Sequence, residues 1–337
     1  MEYTILGDSG IRVSQYCLGT MTFGHGTQTA EAEKIVSAAL DKGITFFDTA
    51  DAYSQGEAEI MLSKALGKRR KDVVVATKFS NPTGSWPNDS GWSNIHITDA
   101  VEQSLRRLGT DYIDIYYVHH TDSTTSIERL LRSLDNLVKQ GKIRSYACSN
   151  FEAWRLSDMY WISRQLGIDK PVCYQGAYSL VMRDMDSEII PYCRDKEIGV
   201  VAFWALAAGF LTGKYRPGDK KADNSRSAEN WSFPYEHFAP NADDILSALI
   251  EYSRQLSVSP AYLAMEWVRH NPAVNSVLFG ARTLQQLEDS LSPLGKDINQ
   301  NIFRQLSDIS RTSKWYPHWM EEDRDQIRRE AVTCERS

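Results

Sequence analysis

The sequence predicts a (β/α)8 barrel of parallel strands, and three observations lead there. Eight short apolar runs alternate with longer helical patterns over almost the whole chain. Glycines mark junctions where a helix hands over to the next strand. At 337 residues the chain exceeds the about 250 of a bare barrel by an amount that loops and a tail can absorb. In chain order, YTILGDSGIRVS (3–14) reads as a hairpin about Asp8 to Gly10, placed to plug the bottom of the barrel. The strands are QYCLGT (15–20), ITFFD (44–48), VVVAT (73–77), YIDIYYV (112–118), KIRSYA (142–147), VCYQ (172–175), GVVAF (199–203) and NSVLF (275–279). Helical periodicity falls between and after them at 32–40, 57–66, 97–108, 126–139, 151–166, 187–195, 242–256 and 283–291. KGI (42–44) and QGK (140–142) each put a Gly between helix and strand, as an αβ junction requires.

The whole chain, 1–337, then forms one domain, with insertions about 79–94 and 214–241 and a tail about 297–337. All three surplus regions carry Trp. The competing fold is a doubly wound open sheet, which needs a Gly-rich phosphate turn after a strand. GHG (24–26) lacks the third Gly, and GFLTGKY (209–215) lacks the Ser or Thr after Lys214.

A net charge of −6, with both signs mixed along the chain, gives no electrostatic footprint for nucleic acid or an anionic membrane surface. The start MEYTILGDSGIRVSQ has neither a basic opening nor a long apolar run, and no later segment is long enough to span a membrane, so the expected location is the cytoplasm. Cys17, Cys148, Cys173, Cys193 and Cys334 are odd in number and show no C-x-x-C spacing, which fits reduced thiols and neither a disulfide framework nor zinc. Asn-x-Ser matches at Asn88 and Asn230 carry little meaning without a secretory signal. A small molecule is the expected partner, and the chain is a monomer or a homo-oligomer.

In a parallel barrel, functional groups sit at the C-terminal ends of the strands. Those ends supply Asp48, Tyr53 in the loop after it, Lys78, His119, the pair Ser149 and Asn150, and Gln175. Taken singly, each has a plain structural reading: Asp48 a turn residue, Tyr53 a surface aromatic, Lys78 a solvated charge, His119 a hydrogen-bonded core histidine. His119 and His120 are adjacent and point differently on a strand, and no helical Glu/His pair lies nearby, so no metal is expected. Together the four make chemical sense. A phenol with a pKa near 10 keeps its proton at neutral pH and can act as a general acid. An ammonium beside it favours the phenolate, and a buried carboxylate keeps that ammonium charged and placed. A histidine N–H can then hold an oxygen on which negative charge develops.

CLGTMTFG (17–24), GITFFDTADAYSQGEAE (43–59), ATKFS (76–80), SLRRLGTDYIDIYYVHHTD (104–122), GKIRSYACSNF (141–151), GFLTGKY (209–215) and FGARTLQQLED (279–289) resemble, in order, the motifs of the aldo-keto reductases. The resemblance covers nearly the whole chain. It implies catalytic roles for Asp48, Tyr53, Lys78 and His119 in reversible hydride transfer between NADPH/NADP+ and a carbonyl, with NADH less favoured. It implies that Ser149, Asn150 and Gln175 hold the nicotinamide carboxamide, that Phe203 stacks on its ring, and that Arg282 and Gln286 grip the adenosine 2′-phosphate. Gly19, Thr20, Met21, Asp48, Trp204, Ala205, Leu206, Lys214, Gly280, Asp289 and Ser290 complete the implied cofactor site. The chain departs from the family where Trp204-Ala205-Leu206 replaces S-P-L, where Phe279 replaces Pro, and where Ser290 replaces Asn.

Trp86 and Trp92 in the first insertion, Trp231 in the second and Trp315 or Trp319 in the tail are expected to wall a substrate site, with His120 beside it. An aromatic wall suits a bulky or cyclic carbonyl or a ketosugar. The family also includes potassium-channel β subunits, so a nucleotide-sensing regulatory subunit is an alternative. A barrel isomerase or hydrolase using Asp48 and His119 without nicotinamide is a third.

Overall fold

The computed structural model describes residues 1–214, 237–291, 294–313, 316–321, 324–325 and 327–328. After the hairpin of β1 (Tyr3–Ile5) and β2 (Arg12–Ser14) come β3 (Tyr16–Gly19), β4 (Phe46–Asp48), β5 (Val74–Phe79), β6 (Ile113–Val118), β7 (Ile143–Ser149), β8 (Cys173–Ala177), β9 (Gly199–Phe203) and β10 (Ser276–Gly280). These eight close into a parallel barrel in chain order, with β10 pairing β3 through Val277 opposite Tyr16. Each expected strand is present.

The helices are α1 (Thr29–Asp41), α2 (Glu57–Leu66), α3 (Asn94–Leu108), α4 (Ile127–Lys139), α5 (Ala153–Leu166), α6 (Ile189–Asp195), α7 (Ala242–Leu256), α8 (Pro260–Arg269), α9 (Leu284–Leu291) and α10 (Gln300–Ile309). Starts and stops follow local chemistry. Ser93, Ser126 and Ser259 cap α3, α4 and α8 by accepting a first-turn N–H, and Gly109 ends α3 in the left-handed region. Helices α8 and α10 are additions to the expected set. The interior of α8 is buried from Tyr262 to Val268, Glu266 included, and Ser259-Pro260 signals its start. Helix α10 fastens the first part of the expected tail, through Trp267 Nε1 donating to Ser307 Oγ at 3.0 Å and Arg183 Nη1 to Ser310 Oγ at 2.8 Å.

Side chains alternate in and out along each strand, so one set fills the barrel. Cys17, Phe46, Ala76, Ile115, Tyr117, Ala147, Cys173 and Val201 form that interior, and Leu6 and Val13 of the hairpin close it from below. Moving two residues on from Cys17, Phe46, Ala76, Tyr117, Ala147, Cys173 and Val201 reaches Gly19, Asp48, Lys78, His119, Ser149, Gln175 and Phe203. The period of two thereby sets the polar candidates as the next inward layer above an apolar plug.

The plug is seated at Gly7, whose φ is +53° and where a Cβ would stand 2.3 Å from the Glu197 carbonyl oxygen. Gly10, at φ +75°, has nothing within 4 Å of such a Cβ. Gly10→Ala should cost about 1–2 kcal/mol of left-handed strain alone. Gly7→Ala should cost clearly more, because backbone must move as well. Urea midpoints of the two variants check this; equal losses would mean that the seat yields freely.

Candidate active site

Lys78 lies at the centre, 0% exposed at the end of β5. Its ammonium makes a short ion pair with Asp48 Oδ1, donates to the Thr49 carbonyl at 2.9 Å and to the Tyr53 hydroxyl at 3.3 Å. The other Asp48 oxygen accepts from Gln175 Nε2 at 2.8 Å. Burial works against the lysine's charge, but the Asp48 carboxylate and the Tyr53 hydroxyl outweigh it and raise its pKa. Burial pushes the Asp48 carboxyl up, opposed by the Lys78 ammonium and by hydrogen bonds from Lys78 and Gln175.

Tyr53 opens a 3₁₀ turn, Tyr53–Gly56, in which Ser54 and Gln55 take left-handed backbone at φ 49° and 56°. Ser54 Oγ donates to the Phe23 carbonyl at 2.7 Å, tying this turn to the loop after β3. The strained turn brings the Tyr53 ring edge-on to His119, with centroids 5.8 Å apart.

His119 is 8% exposed, and its pKa is pushed down to about 2 by burial first and by Lys78 and His120 next. The imidazole is therefore neutral across the physiological range. Asn81 Nδ2 stands 3.3 Å from His119 Nδ1. An amide NH2 can only donate, so Nδ1 accepts and Nε2 carries the hydrogen. Neighbouring rings thus carry an O–H and an N–H, two kinds of group that a carbonyl oxygen can accept from.

Around the mouth, Asn150 takes φ 58° at the end of β7, and its Nδ2 donates to the His119 carbonyl and to Ser149 Oγ, both at 3.0 Å. Phe203 is half-buried, with the Trp204 ring against it at 5.0 Å, and Trp204 takes φ 60°. Ala205 is buried, Leu206 half-buried and Lys214 exposed. A Cβ at Gly19 would meet Leu278 Cδ2 at 2.9 Å, so β3 and β10 approach closely there. Thr20 donates to the Asp48 carbonyl through both its N–H and its hydroxyl, and Met21 follows in the turn. Gly280 ends β10; Arg282 N–H donates to Gln286 Oε1 at 2.9 Å, and Asp289 accepts from Gln285. Ser290 is buried on the inner side of α9, which turns it away from an open contact.

The expected aromatic wall needs correction. Trp92 is 1% exposed, stacks on Phe151 at 5.6 Å, and its Nε1 donates to the His120 carbonyl at 3.0 Å. It is a strut under the strand end, because its whole ring is consumed by packing. Trp86 is 79% exposed at a loop tip, Trp319 is exposed as well, and His120 stacks on His119 at 4.9 Å. Trp231 and Trp315 lie outside the described residues.

Sequence reading missed Asn81 and a second buried layer. Glu59 of α2 is 0% exposed, accepts from Thr77 Oγ1 at 2.5 Å and pairs with Arg107 Nε at 2.6 Å. Beside it Asp51 is 2% exposed, and neither carboxyl oxygen has a hydrogen-bond partner among the described residues. Burial first, then the Glu59 charge, raises the Asp51 pKa to about 8, with Arg107 opposing. Only the insertion of charge into the apolar run AEIML hinted at this layer. Asp51 stays protonated at neutral pH. Its contribution to stability is whole below about pH 4 and lost as pH rises toward about 8, since the unfolded carboxyl ionises near 3.9. Asp51→Asn removes that titration. Its urea midpoint relative to the parent should climb from pH 4 to 8 and then level off, whereas parallel profiles would mean that Asp51 is ionised throughout.

Residues 16–311 match the profile of the aldo/keto reductase family. A protein of Oryza sativa subsp. japonica named "Probable voltage-gated potassium channel subunit beta" is 36% identical over 304 residues, 87% of this chain and 91% of its own. An uncharacterized oxidoreductase of Bacillus subtilis (strain 168) is 35% identical over 324 residues, 92% of this chain and 96% of its own. An aldo-keto reductase of Fusarium vanettenii is 30% identical, covering 92% of this chain and 91% of its own. The chain belongs to the aldo/keto reductase family of oxidoreductases, which act on carbonyls.

Proposed function

We propose that the protein reduces an aldehyde or ketone to the alcohol with NADPH, Tyr53 giving the proton, in a reaction that also runs in reverse. The observation that carries this is the Lys78 ammonium held between the Asp48 carboxylate and the Tyr53 hydroxyl, buried at the barrel mouth.

The residues fit a nicotinamide dinucleotide. Asn150 and Gln175 commit their amide nitrogens to the His119 carbonyl and to Asp48, which leaves their oxygens to accept from a carboxamide N–H, with the Ser149 hydroxyl alongside. Phe203 offers an aromatic face. Gly280, Arg282 and the start of α9 suit the adenosine end, and the guanidinium favours a 2′-phosphate. When bound, the reduced nicotinamide supplies hydride from C4 to the carbonyl carbon. The carbonyl oxygen accepts hydrogen bonds from Tyr53 Oη and His119 Nε2, and as charge develops on it the Tyr53 proton crosses to complete the alcohol. Lys78 offsets the charge left on the phenolate, and water returns the proton once product leaves.

The substrate class we favour is a bulky or cyclic carbonyl or a ketosugar, with exposed Trp86 the described aromatic that supports it, and the expected setting is the cytoplasm, as a monomer or homo-oligomer. A second reading, a nucleotide-sensing subunit, is favoured by one feature. Helix α5 exposes Trp154 at 57% and Trp161 at 53%, seven residues apart on one face, and relatives carry a channel-subunit name.

NADPH consumption, followed by absorbance over a panel of aldehydes, ketosugars and cyclic ketones, separates the two. Turnover should fall at least about a hundredfold in Tyr53→Phe while NADPH binding persists. Full activity in that variant would remove Tyr53 as the acid. Binding without turnover across the panel would favour the sensing subunit.

A further inference from the structure

The first turn of α9 is an unusual place to receive a phosphate, because a carboxylate already occupies part of it. Three backbone N–H groups there have side-chain acceptors. Arg282 N–H donates to Gln286 Oε1 at 2.9 Å, Gln286 N–H to Thr283 Oγ1 at 3.2 Å, and Leu284 N–H to Glu31 Oε1 at 2.7 Å. Glu31 comes from a different element, the first turn of α1, so the bond ties α1 to α9 across the edge of the mouth. The hydrogen bond from Leu284 holds the Glu31 carboxyl below its usual range, aided by Lys34 at 3.5 Å. The same stretch steadies Arg282. Its carbonyl accepts from Thr27 Oγ1 at 3.1 Å, and its guanidinium lies against Gly26, where a Cβ would stand 3.6 Å from the guanidinium carbon.

A helix N-terminus favours negative charge within its first turn and loses that preference as the charge is supplied. A 2′-phosphate brought to Arg282 must therefore sit beside a carboxylate that is already bonded there. A ribose 2′-hydroxyl meets the opposite situation, since a carboxylate is its natural acceptor. With the adenosine end against this turn, Arg282 would favour a phosphate at the 2′ position and Glu31 would favour a hydroxyl there.

We propose that Glu31 is a specificity residue for the cofactor's 2′ position, a built-in counterweight to Arg282 that lets the chain accept unphosphorylated as well as phosphorylated nicotinamide dinucleotides. The inference rests on the reading that the adenosine end lies against residues 280–290. It accounts for a charge that neither the barrel core nor the reacting groups require.

Equilibrium binding tests it without turnover. Affinities of the parent, Glu31→Gln and Arg282→Gln for NADP+, NAD+ and the fragment 2′,5′-ADP are measured by quenching of tryptophan fluorescence. Glu31→Gln keeps an acceptor for the Leu284 N–H and removes only the charge. It should tighten NADP+ and 2′,5′-ADP by about five- to tenfold, the scale of one charge near a protein surface, and weaken NAD+ by a few fold, because the 2′-hydroxyl loses a charged acceptor. Arg282→Gln should shift the NADP+ to NAD+ ratio the other way. A folded Glu31→Gln protein whose two cofactor affinities move together, or not at all, overturns the proposal while leaving the reductase reading intact. A parent protein that binds neither dinucleotide overturns both.

Discussion

The ion pair between Asp48 and Lys78 is the constraint on which the site depends. A fully buried ammonium is costly to keep charged, and it stays so only where every direction around it is answered. Here Asp48, the Thr49 carbonyl and Tyr53 answer it, and Gln175 from β8 holds the carboxylate's second oxygen. Those contacts draw together β4, β5, β8 and the loop carrying Tyr53. A buried ion pair gains little stability in itself, because desolvation offsets much of its attraction. The pair's presence is therefore explained by what it does to the phenol beside it.

Behind the pair lies a second charge arrangement that only balances one way. Lys78 and Arg107 bring two positive charges, and Asp48, Glu59 and Asp51 bring three carboxyl groups, all within one buried region. Neutrality requires that one carboxyl keep its proton. Asp48 and Glu59 each pair directly with a cation and accept side-chain hydrogen bonds, while Asp51 has no ion pair among the described residues and is held only weakly by Ala52, Arg107 and Lys78, so the proton belongs on Asp51. The protonated acid keeps the region neutral without drawing charge from Lys78. Arg107 also fits under Gly56, where a Cβ would stand 2.6 Å from it, so the same side chain supports the turn that presents Tyr53.

Much of this was legible in the sequence. Strand periodicity sets which residues face inward, so Asp48, Lys78, His119, Ser149 and Gln175 follow from the apolar runs that precede them, while Phe203 came from the family resemblance. What periodicity cannot carry is a contact between elements distant in sequence. Asn81 orients His119 across 38 positions, and Glu31 reaches Leu284 across 253. Trp92 misled for a related reason: a Trp in a Gly- and Asn-rich loop reads as exposed, yet this one folds under β6 and is stacked on Phe151. Helix α8 was missed although Ser259-Pro260 marks its start, since it follows α7 directly with no strand between them.

The protonation states also decide which group can act as the acid. Tyr53 and His119 lie edge to face at the barrel mouth, and a histidine is the commoner proton donor in proteins. Burial and the Lys78 charge push the His119 pKa down to about 2, so its ring holds a single hydrogen and gives it up only to the far less favourable imidazolate. His119 can therefore hold an oxygen in place but cannot deliver a proton to it. The lysine that disfavours the imidazolium also reaches the Tyr53 hydroxyl at 3.3 Å, so one buried charge acts on both rings. A single side chain thus contacts the phenol and keeps the imidazole neutral, and both effects follow from where β5 ends.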